Sequence, residues 1–160
     1  MHIVHNHNPH GPDGVNIPKL IVIHSMAEYV KDDNGDYVHA TKFLEHIGYS
    51  EHAQVDHNGI IIRCLEDIEK AHHALGYNND SLGLSALVEG KHNYGSFIRA
   101  IGDPYMSDDQ YHSMVYQCQV WIAKYEIARV VRHSDISPGR KLDPGEGFPW
   151  EEFLKDIWRL

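Results

Sequence analysis

The sequence of 160 residues is short of cysteine, of basic residues and of long apolar runs. Two cysteines, Cys64 and Cys118, are too few for a disulfide framework, and we expect both to be buried as small apolar groups. The longest compact apolar run, residues 20–23, falls far below the ~18 residues that cross a bilayer. We therefore expect no membrane insertion.

Basic residues are scarce, since 14 Lys and Arg stand against 23 Asp and Glu and give a formal charge of −9 at pH 7. Nucleic-acid binding depends on Lys and Arg neutralising phosphates, so we expect no nucleic-acid partner. The first residues lack a charged start followed by an apolar stretch, so we also expect no signal peptide and synthesis in the cytoplasm.

The composition is otherwise that of one ordinary globular domain, with 42% hydrophobic and 23% charged residues. Residues 1–18 are polar and rich in Pro and Gly, and we expect an irregular N-terminal arm. The most unusual number is 14 histidines, because histidine is the commonest metal ligand. Four of them lie in the arm, where they are either an extra metal site or solvated side chains: His2, His5, His7 and His10.

Short apolar runs alternate with segments of helical spacing. Strands are predicted at residues 19–24, 51–64 as a hairpin turning at Asn58-Gly59, 82–88 and 130–131, and helices at 40–47, 67–75, 107–125 and from Pro149. Ser107 and Gln110 are spaced as a capping box at the start of the long helix. Strands interspersed with helices predict an α/β fold, a single domain with a central mixed β-sheet flanked by helices.

His24 and His133 each follow a predicted strand, and the ends of central strands are where an open α/β sheet builds its site. A catalytic zinc needs three protein ligands and one open position. The two histidines and a carboxylate from the loop after His133 would meet this need. Many other combinations of histidines and acidic residues would also meet it, so spacing alone leaves the ligands open.

Residues 133–150, HSDISPGRKLDPGEGFPW, resemble the C-terminal signature of zinc-dependent N-acetylmuramoyl-L-alanine amidases, G-H-x-D-I-x-P-x-R-K-x-D/C-P-G. Weaker matches precede it in the family's order: LIVIHS at 20–25, SEHAQVDHNG at 50–59, AHHA at 71–74 and NDSLGL at 79–84. The resemblance spans residues 20–154. It implies the peptidoglycan-recognition and amidase type of fold, shared by phage endolysins, muropeptide-recycling amidases and peptidoglycan recognition proteins.

The resemblance also implies a role for each matching residue. His24, His133 and Asp143 correspond to the ligands of a Zn²⁺ ion, with Asp143 as in the recycling amidases. Lys141 corresponds to a lysine that stabilises the developing oxyanion. His73 and Ser85 correspond to residues of the substrate groove, although a purely structural histidine is an equal alternative for His73.

Two departures from the family pattern stand out. The family's proton-transfer glutamate falls at Ser85, whose hydroxyl cannot act as a general base at neutral pH without its own activation. Phage relatives carry a tyrosine at the position of Glu51, and we predict that Glu51 takes the proton-transfer role. One alternative is that Glu51 faces solvent and has no catalytic role. Another is that Glu89 supplies the carboxylate, which is less favoured because Glu89 lies about 13 Å along the strand from Ser85. Arg132 replaces a common glycine and is expected to crowd the edge of the site.

The implied reaction is hydrolysis of the amide bond between N-acetylmuramic acid and L-alanine in peptidoglycan. We expect residues 1–160 to form one catalytic amidase domain without a separate wall-binding domain, and to act as a monomer. This organisation favours a phage-type endolysin acting on the cell wall. The alternatives are a cytosolic amidase that recycles anhydromuropeptides and a non-catalytic peptidoglycan-binding module.

Overall fold

Seven strands form one mixed β-sheet in the computed structural model of this protein, which describes residues 1–160. The strands are β1 Ile3–His5, β2 Leu20–Lys31, β3 Tyr37–His39, β4 Ala53–Val55, β5 Ile61–Arg63, β6 Ser81–His92 and β7 Arg129–Arg132. Their order is β1-β5-β4-β6-β2-β3, and β7 also pairs with β2. The central pairs β4–β6, β6–β2 and β2–β7 are parallel, whereas β4–β5 and β2–β3 are antiparallel. The predicted α/β fold with a mixed sheet is confirmed.

Five helices surround this sheet: α1 Ala40–Ile47, α2 Tyr94–Ile101, α3 Asp108–Lys124, α4 His133–Ile136 and α5 Trp150–Ile157. Ser107 caps α3 as predicted, because its hydroxyl accepts the backbone N–H of Gln110 at 3.0 Å. The Gln110 side chain does not complete a capping box. Its amide instead donates to the carbonyls of Val55 and Leu87 and ties α3 to the sheet. None of the helices combines the length and the apolar character needed to cross a membrane.

The two faces of the sheet bury different side chains. On one face, Ile21 and Ile23 of β2 pack with α3 and α5, in a core that also holds Leu82, Leu84, Met114, Cys118, Trp121, Phe153 and Ile157. On the other face, Leu20 and Val22 pack with Ala74. Successive side chains of a strand point to opposite faces, so His24 shares the face of Leu20 and Val22.

The central strands are longer than predicted. β2 and β6 each have 12 residues and pair with each other along most of their length. Their ladder, which shifts register between Ala27 and Tyr29, extends the strands into polar sequence, where hydrophobic patterning gives no strand signal. His24 therefore lies inside β2 rather than at its end, which corrects the prediction.

Three further segments differ from the predictions. Residues 67–75 form turns and bends instead of a helix, because the Asn78 side chain accepts the backbone N–H groups of His73 and Ala74. Helix α2 was not predicted, although Asn93 and Ser96 form a complete capping box at its start. Residues Ile3–His5 of the supposedly irregular arm form an edge strand beside β5. The hairpin, α1, α3, β7, α5 and the burial of both cysteines are as predicted.

Asp67 links the loop after β5 to α3. Its carboxylate accepts hydrogen bonds from Trp121 Nε1 at 2.9 Å, from Lys124 Nζ and Tyr125 OH at 3.0 Å each, and from the Arg63 guanidinium. Burial raises the pKa of Asp67, but the hydrogen bond and charge of Arg63 and the bonds from Lys124 and Trp121 outweigh it and bring the pKa down to about 2. The ionised carboxylate therefore stabilises the fold.

Replacing this carboxylate is expected to destabilise the protein in a pH-dependent way. Because the pKa is lower in the folded state, the stabilisation by Asp67 is present above its ordinary pKa of 3.8 and is lost as the pH falls through about 2. Asp67→Asn should lower the free energy of unfolding by about 2 kcal/mol at neutral pH. Urea unfolding of both proteins should show this gap closing in acid, and a gap that is absent at neutral pH would contradict the assignment.

Candidate active site

The three predicted metal ligands come from different elements of the fold. His24 lies within β2, His133 is the first residue of α4, and Asp143 lies in the loop between α4 and α5. Strand β7 runs beside β2 and ends at Arg132, which brings the next residue, His133, close to His24. The backbone N–H of Ser134 donates to the Asp143 carbonyl at 3.0 Å and holds the loop against α4.

The ligand atoms of these side chains converge. Nδ1 of His24 lies 3.0 Å from Nδ1 of His133, and Oδ2 of Asp143 lies 3.2 Å from each of these nitrogens. Four ligands placed tetrahedrally around zinc at its usual bond lengths are about 3.3 Å apart. The observed triangle therefore fits three corners of such a site. The structure contains no second group of three potential ligands, and the arm histidines form none.

Burial sets the protonation states that a metal needs. Burial lowers the pKa of His24, although the hydrogen bond and charge of Asp143 oppose this shift. Burial also acts to raise the pKa of Asp143, but the hydrogen bond from His133 and the contact with His24 outweigh burial and lower that pKa. A neutral imidazole and an ionised carboxylate are the forms that bind a metal ion.

Glu51, just before β4, is buried beside these ligands. Its carboxylate accepts a hydrogen bond from the Ser85 hydroxyl at 2.6 Å and another from the Gln54 amide at 2.7 Å. The strand register places Gln54 opposite Ser85 and Ser85 opposite His24, so the three side chains share one face of the sheet. With only 4% of Glu51 exposed, the solvent-facing alternative is wrong.

The surroundings of Glu51 make it a group that exchanges a proton near neutrality. Burial raises its pKa to about 7, against the lowering effect of the bonds from Ser85 and Gln54, and the negative charge of Asp143 adds to the rise. A carboxyl with a pKa near the working pH is suited to general acid–base chemistry.

This pKa has a measurable consequence for stability. Since the pKa of Glu51 is higher in the folded state, its contribution is complete below the ordinary value of 4.5 and is lost as the pH rises through about 7. Metal-free Glu51→Gln should therefore gain stability over the metal-free wild type as the pH rises, reaching about 3 kcal/mol at mildly alkaline pH. Urea unfolding across this range measures the gain, and parallel stability curves would contradict a raised pKa.

His73 and Ser85 lie in the same groove but are engaged within the protein. Nδ1 of His73 lies 2.8 Å from Nε2 of His24, and its Nε2 lies 2.8 Å from the Ser81 hydroxyl. Both ring nitrogens thus have protein partners, which differs from the expected contact with substrate. The Ser85 hydroxyl is likewise used by Glu51.

The groove itself has a volume of about 550 Å³ and is lined by all seven predicted site residues. Lys141 lies on its exposed side, close enough for its charge to contribute to the lowered pKa of His24. The apolar side chains of Tyr49, Leu75, Tyr94 and Leu142 line the groove and are largely exposed. A groove of this volume, apolar at its rim and polar at its base, fits a small-molecule-sized portion of a substrate.

Two residues considered at the sequence level lie outside this groove. Glu89 faces His57, with 3.6 Å between Glu89 Oε2 and His57 Nε2. Arg132 does not crowd the site, because its guanidinium pairs with Asp135 at 2.9 Å and stacks on Trp150. Neither the Glu89 nor the Arg132 side chain therefore contacts the three predicted metal ligands.

Sequence reasoning missed two residues that contact predicted site residues: Gln54 bonds to Glu51, and Ser81 bonds to His73. Gln54 stands in a hairpin strand, where a polar residue ordinarily faces solvent, and its contact with Glu51 depends on packing beside β6. Ser81 is the first residue of β6 and carries no motif signal for contact with a histidine. The register between β4 and β6 accounts for the position of Gln54, and the bends and turns at residues 72–80 bring His73 to Ser81.

Comparisons with known proteins agree with this geometry. The sequence model of the family described as N-acetylmuramoyl-L-alanine amidase matches residues 14–146. The chain is 30% identical over 116 residues to 1,6-anhydro-N-acetylmuramyl-L-alanine amidase AmpD of Haemophilus influenzae, covering 68% of this chain and 58% of that protein. It is 25% identical over 157 residues to AmpD of Enterobacter cloacae, covering 85% and 79%.

The fold resembles that of solved amidases. The endolysin N-acetylmuramoyl-L-alanine amidase LysCS from Clostridium intestinale superimposes with a TM-score of 0.72 at 22% identity. The alignment covers 97% of this chain and 94% of LysCS. At this level of identity the similarity establishes the shared fold.

Proposed function

The chain belongs to the N-acetylmuramoyl-L-alanine amidase family, and we propose that it hydrolyses the amide bond between N-acetylmuramic acid and L-alanine in peptidoglycan. The observation that carries this proposal is the convergence of His24, His133 and Asp143 beside the buried carboxyl of Glu51. A ligand triangle next to a group that can transfer protons is the arrangement that metal-assisted amide hydrolysis requires.

The donor set favours zinc as the metal. His24 and His133 would each contribute Nδ1 and Asp143 one carboxylate oxygen, which are three of the four ligands that a catalytic zinc ion takes. When bound, zinc supplies a Lewis acid that acidifies water and polarises an amide carbonyl. The survival of all three ligands argues against a non-catalytic peptidoglycan-binding module.

Glu51 carries the proton in the proposed reaction. Its carboxylate accepts a proton from the attacking water as the water oxygen bonds to the amide carbon. It then delivers a proton to the nitrogen of L-alanine as the carbon–nitrogen bond breaks. The bonds from Ser85 and Gln54 hold the carboxylate in one orientation for both transfers.

Lys141 is proposed to stabilise the negative charge that develops on the carbonyl oxygen. Lys141 lines the groove, and its charge contributes to the lowered pKa of His24. Removing one such electrostatic partner costs about 10²- to 10³-fold in turnover. We expect this loss of turnover in Lys141→Met and a partial recovery in Lys141→Arg. Turnover is measured as release of L-alanine amines at saturating substrate. Wild-type turnover in Lys141→Met would remove Lys141 from the mechanism.

The substrate form separates two candidate roles. We propose an endolysin-type enzyme that acts on the intact cell wall, supported by the fold it shares with an endolysin amidase and by a groove open to the surface. The curated relatives, both named as 1,6-anhydro-N-acetylmuramyl-L-alanine amidases, favour soluble anhydromuropeptides as the second candidate. In either role we propose that residues 1–160 act as one monomeric catalytic domain, since every site residue lies in one groove of one chain.

Product analysis tests this proposal. The zinc-loaded protein is incubated with purified sacculi and, separately, with soluble anhydromuropeptides. New amino groups on L-alanine without new reducing sugar ends are expected, and faster release from sacculi would support the endolysin role, whereas faster release from fragments would support recycling. New reducing ends, or no release from either substrate, would overturn the amidase assignment.

A further inference from the structure

We propose that His73 is a positioning residue, which together with Ser81 fixes the imidazole of His24 in the one tautomer that can bind a metal through Nδ1. The inference rests on the proposed function, since it assumes that His24 is a ligand. In this inference His73 orients the ligand His24 and does not bind substrate.

Hydrogen bonds link His24 to His73, His73 to Ser81, and Ser81 to the carbonyl of Tyr77, and we call this chain the relay. The direction of each bond follows from the Tyr77 end. The carbonyl of Tyr77 can only accept, so the Ser81 hydroxyl, 2.5 Å away, must donate to it. The Ser81 oxygen then accepts from Nε2–H of His73, which leaves Nδ1 of His73 without a proton. That nitrogen accepts from Nε2–H of His24. Nδ1 of His24 therefore presents a lone pair toward Nδ1 of His133 at 3.0 Å, and the Asp143 carboxylate accepts its imidazole hydrogen bond from His133.

The His73 ring is held in place independently of these bonds. The Asn78 side chain accepts the backbone N–H groups of His73 and Ala74 at 3.1 and 2.9 Å, which fixes the segment that carries the ring. The ring lies against Gly83 of β6, where an added Cβ would stand 2.7 Å from Nδ1. The absence of a side chain at Gly83 thus gives the ring room beside His24.

The other imidazole has no such relay. Nε2 of His133 is buried and has no hydrogen-bond partner in the protein, so nothing prevents His133 from carrying its proton on Nδ1 and donating it to Asp143. The two histidines therefore differ: His24 is fixed for metal binding by its surroundings, and His133 must move its proton when a metal binds. Partners that orient a ligand histidine typically contribute about 10- to 100-fold to metal affinity.

Zinc affinity of purified variants tests the relay without reference to activity. Ser81→Ala removes the acceptor that sets the His73 tautomer, and His73→Phe keeps a ring but removes the nitrogen that faces His24. Both should bind Zn²⁺ about 10- to 100-fold more weakly, as measured by competition with a chromophoric chelator. His73→Asn, whose amide oxygen can accept from His24, should recover most of the affinity.

Ser113→Ala is the matched control, because Ser113 is also a buried serine that donates to a backbone carbonyl, that of Gly59, at 2.6 Å. Without metal, Ser113→Ala should lose about as much stability as Ser81→Ala, but its zinc affinity should equal that of the wild type. Proton–nitrogen correlation NMR of the metal-free protein should further show His24 protonated at Nε2 in the wild type and as a tautomer mixture in Ser81→Ala.

Two results would overturn the relay. Wild-type zinc affinity in both Ser81→Ala and His73→Phe would show that His24 needs no orientation from them. An NMR spectrum that shows His24 protonated at Nδ1 in the metal-free wild type would also overturn the relay, even if the His73 variants failed to fold. A wild type that binds no zinc would overturn the proposed function as well, so the two failures are distinguishable.

Discussion

Glu51→Gln is expected to lower turnover by about 10²- to 10⁴-fold while leaving the zinc content unchanged. Glutamine has the same shape and can still bond to Gln54 and Ser85, but it cannot accept a proton from water. Turnover is measured as release of L-alanine amines at saturating substrate, and zinc content by elemental mass spectrometry on the same preparation. Near-normal turnover would remove Glu51 from the mechanism.

The contact between Glu51 and Ser85 offers a sharper control for this prediction. The Glu51 carboxylate and the Ser85 hydroxyl are 2.6 Å apart, on neighbouring elements of the same groove. Exchanging them in the double variant E51S/S85E moves the carboxylate to position 85 of β6, where the family pattern has its glutamate. The double variant should recover turnover relative to Glu51→Ser alone, and no recovery would show that the carboxylate must come from position 51.

Asp143→Ala is expected to abolish stoichiometric zinc binding and with it nearly all activity. The variant leaves two imidazoles, which are too few for a catalytic zinc site, and the loss of Lewis acid catalysis costs at least about 10³-fold. Metal-stripped wild type should regain activity when zinc is added, whereas Asp143→Ala should not. Activity and zinc content are measured on the same preparations before and after zinc is added.

Asp143→Cys is the matched control, because the family signature allows cysteine at this position and a thiolate binds zinc. It should retain zinc and a measurable part of the activity. An Asp143→Ala protein that binds one zinc per chain and turns over normally would contradict the ligand set.

The sequence predicted the chemistry of the site better than its surroundings. Among many possible combinations, the resemblance of residues 133–150 to the amidase signature selected His24, His133 and Asp143, and the structure brings these three together. The absence of the expected carboxylate from position 85 points to Glu51 as its replacement. Its contact with Ser85 gives that choice a geometric basis.

The role of His73 could not be predicted from the sequence because its partners come from distant positions. A histidine in an AHHA segment gives no indication that its ring fits against Gly83 or that its nitrogens bond to His24 and Ser81. These contacts depend on the register between β2 and β6, which hydrophobic patterning does not specify residue by residue. The missing helix at residues 67–75 has a related cause, since Asn78 takes the backbone donors that a helix would use.

Anomalous diffraction at the zinc edge, from crystals of the zinc-loaded protein, tests the metal site most directly. We expect one ion per chain, bonded to Nδ1 of His24, Nδ1 of His133 and a carboxylate oxygen of Asp143 at about 2.0–2.2 Å, with the fourth position facing the groove. An ion bound elsewhere in a protein that hydrolyses peptidoglycan, or an active protein without any ion at these side chains, would contradict it.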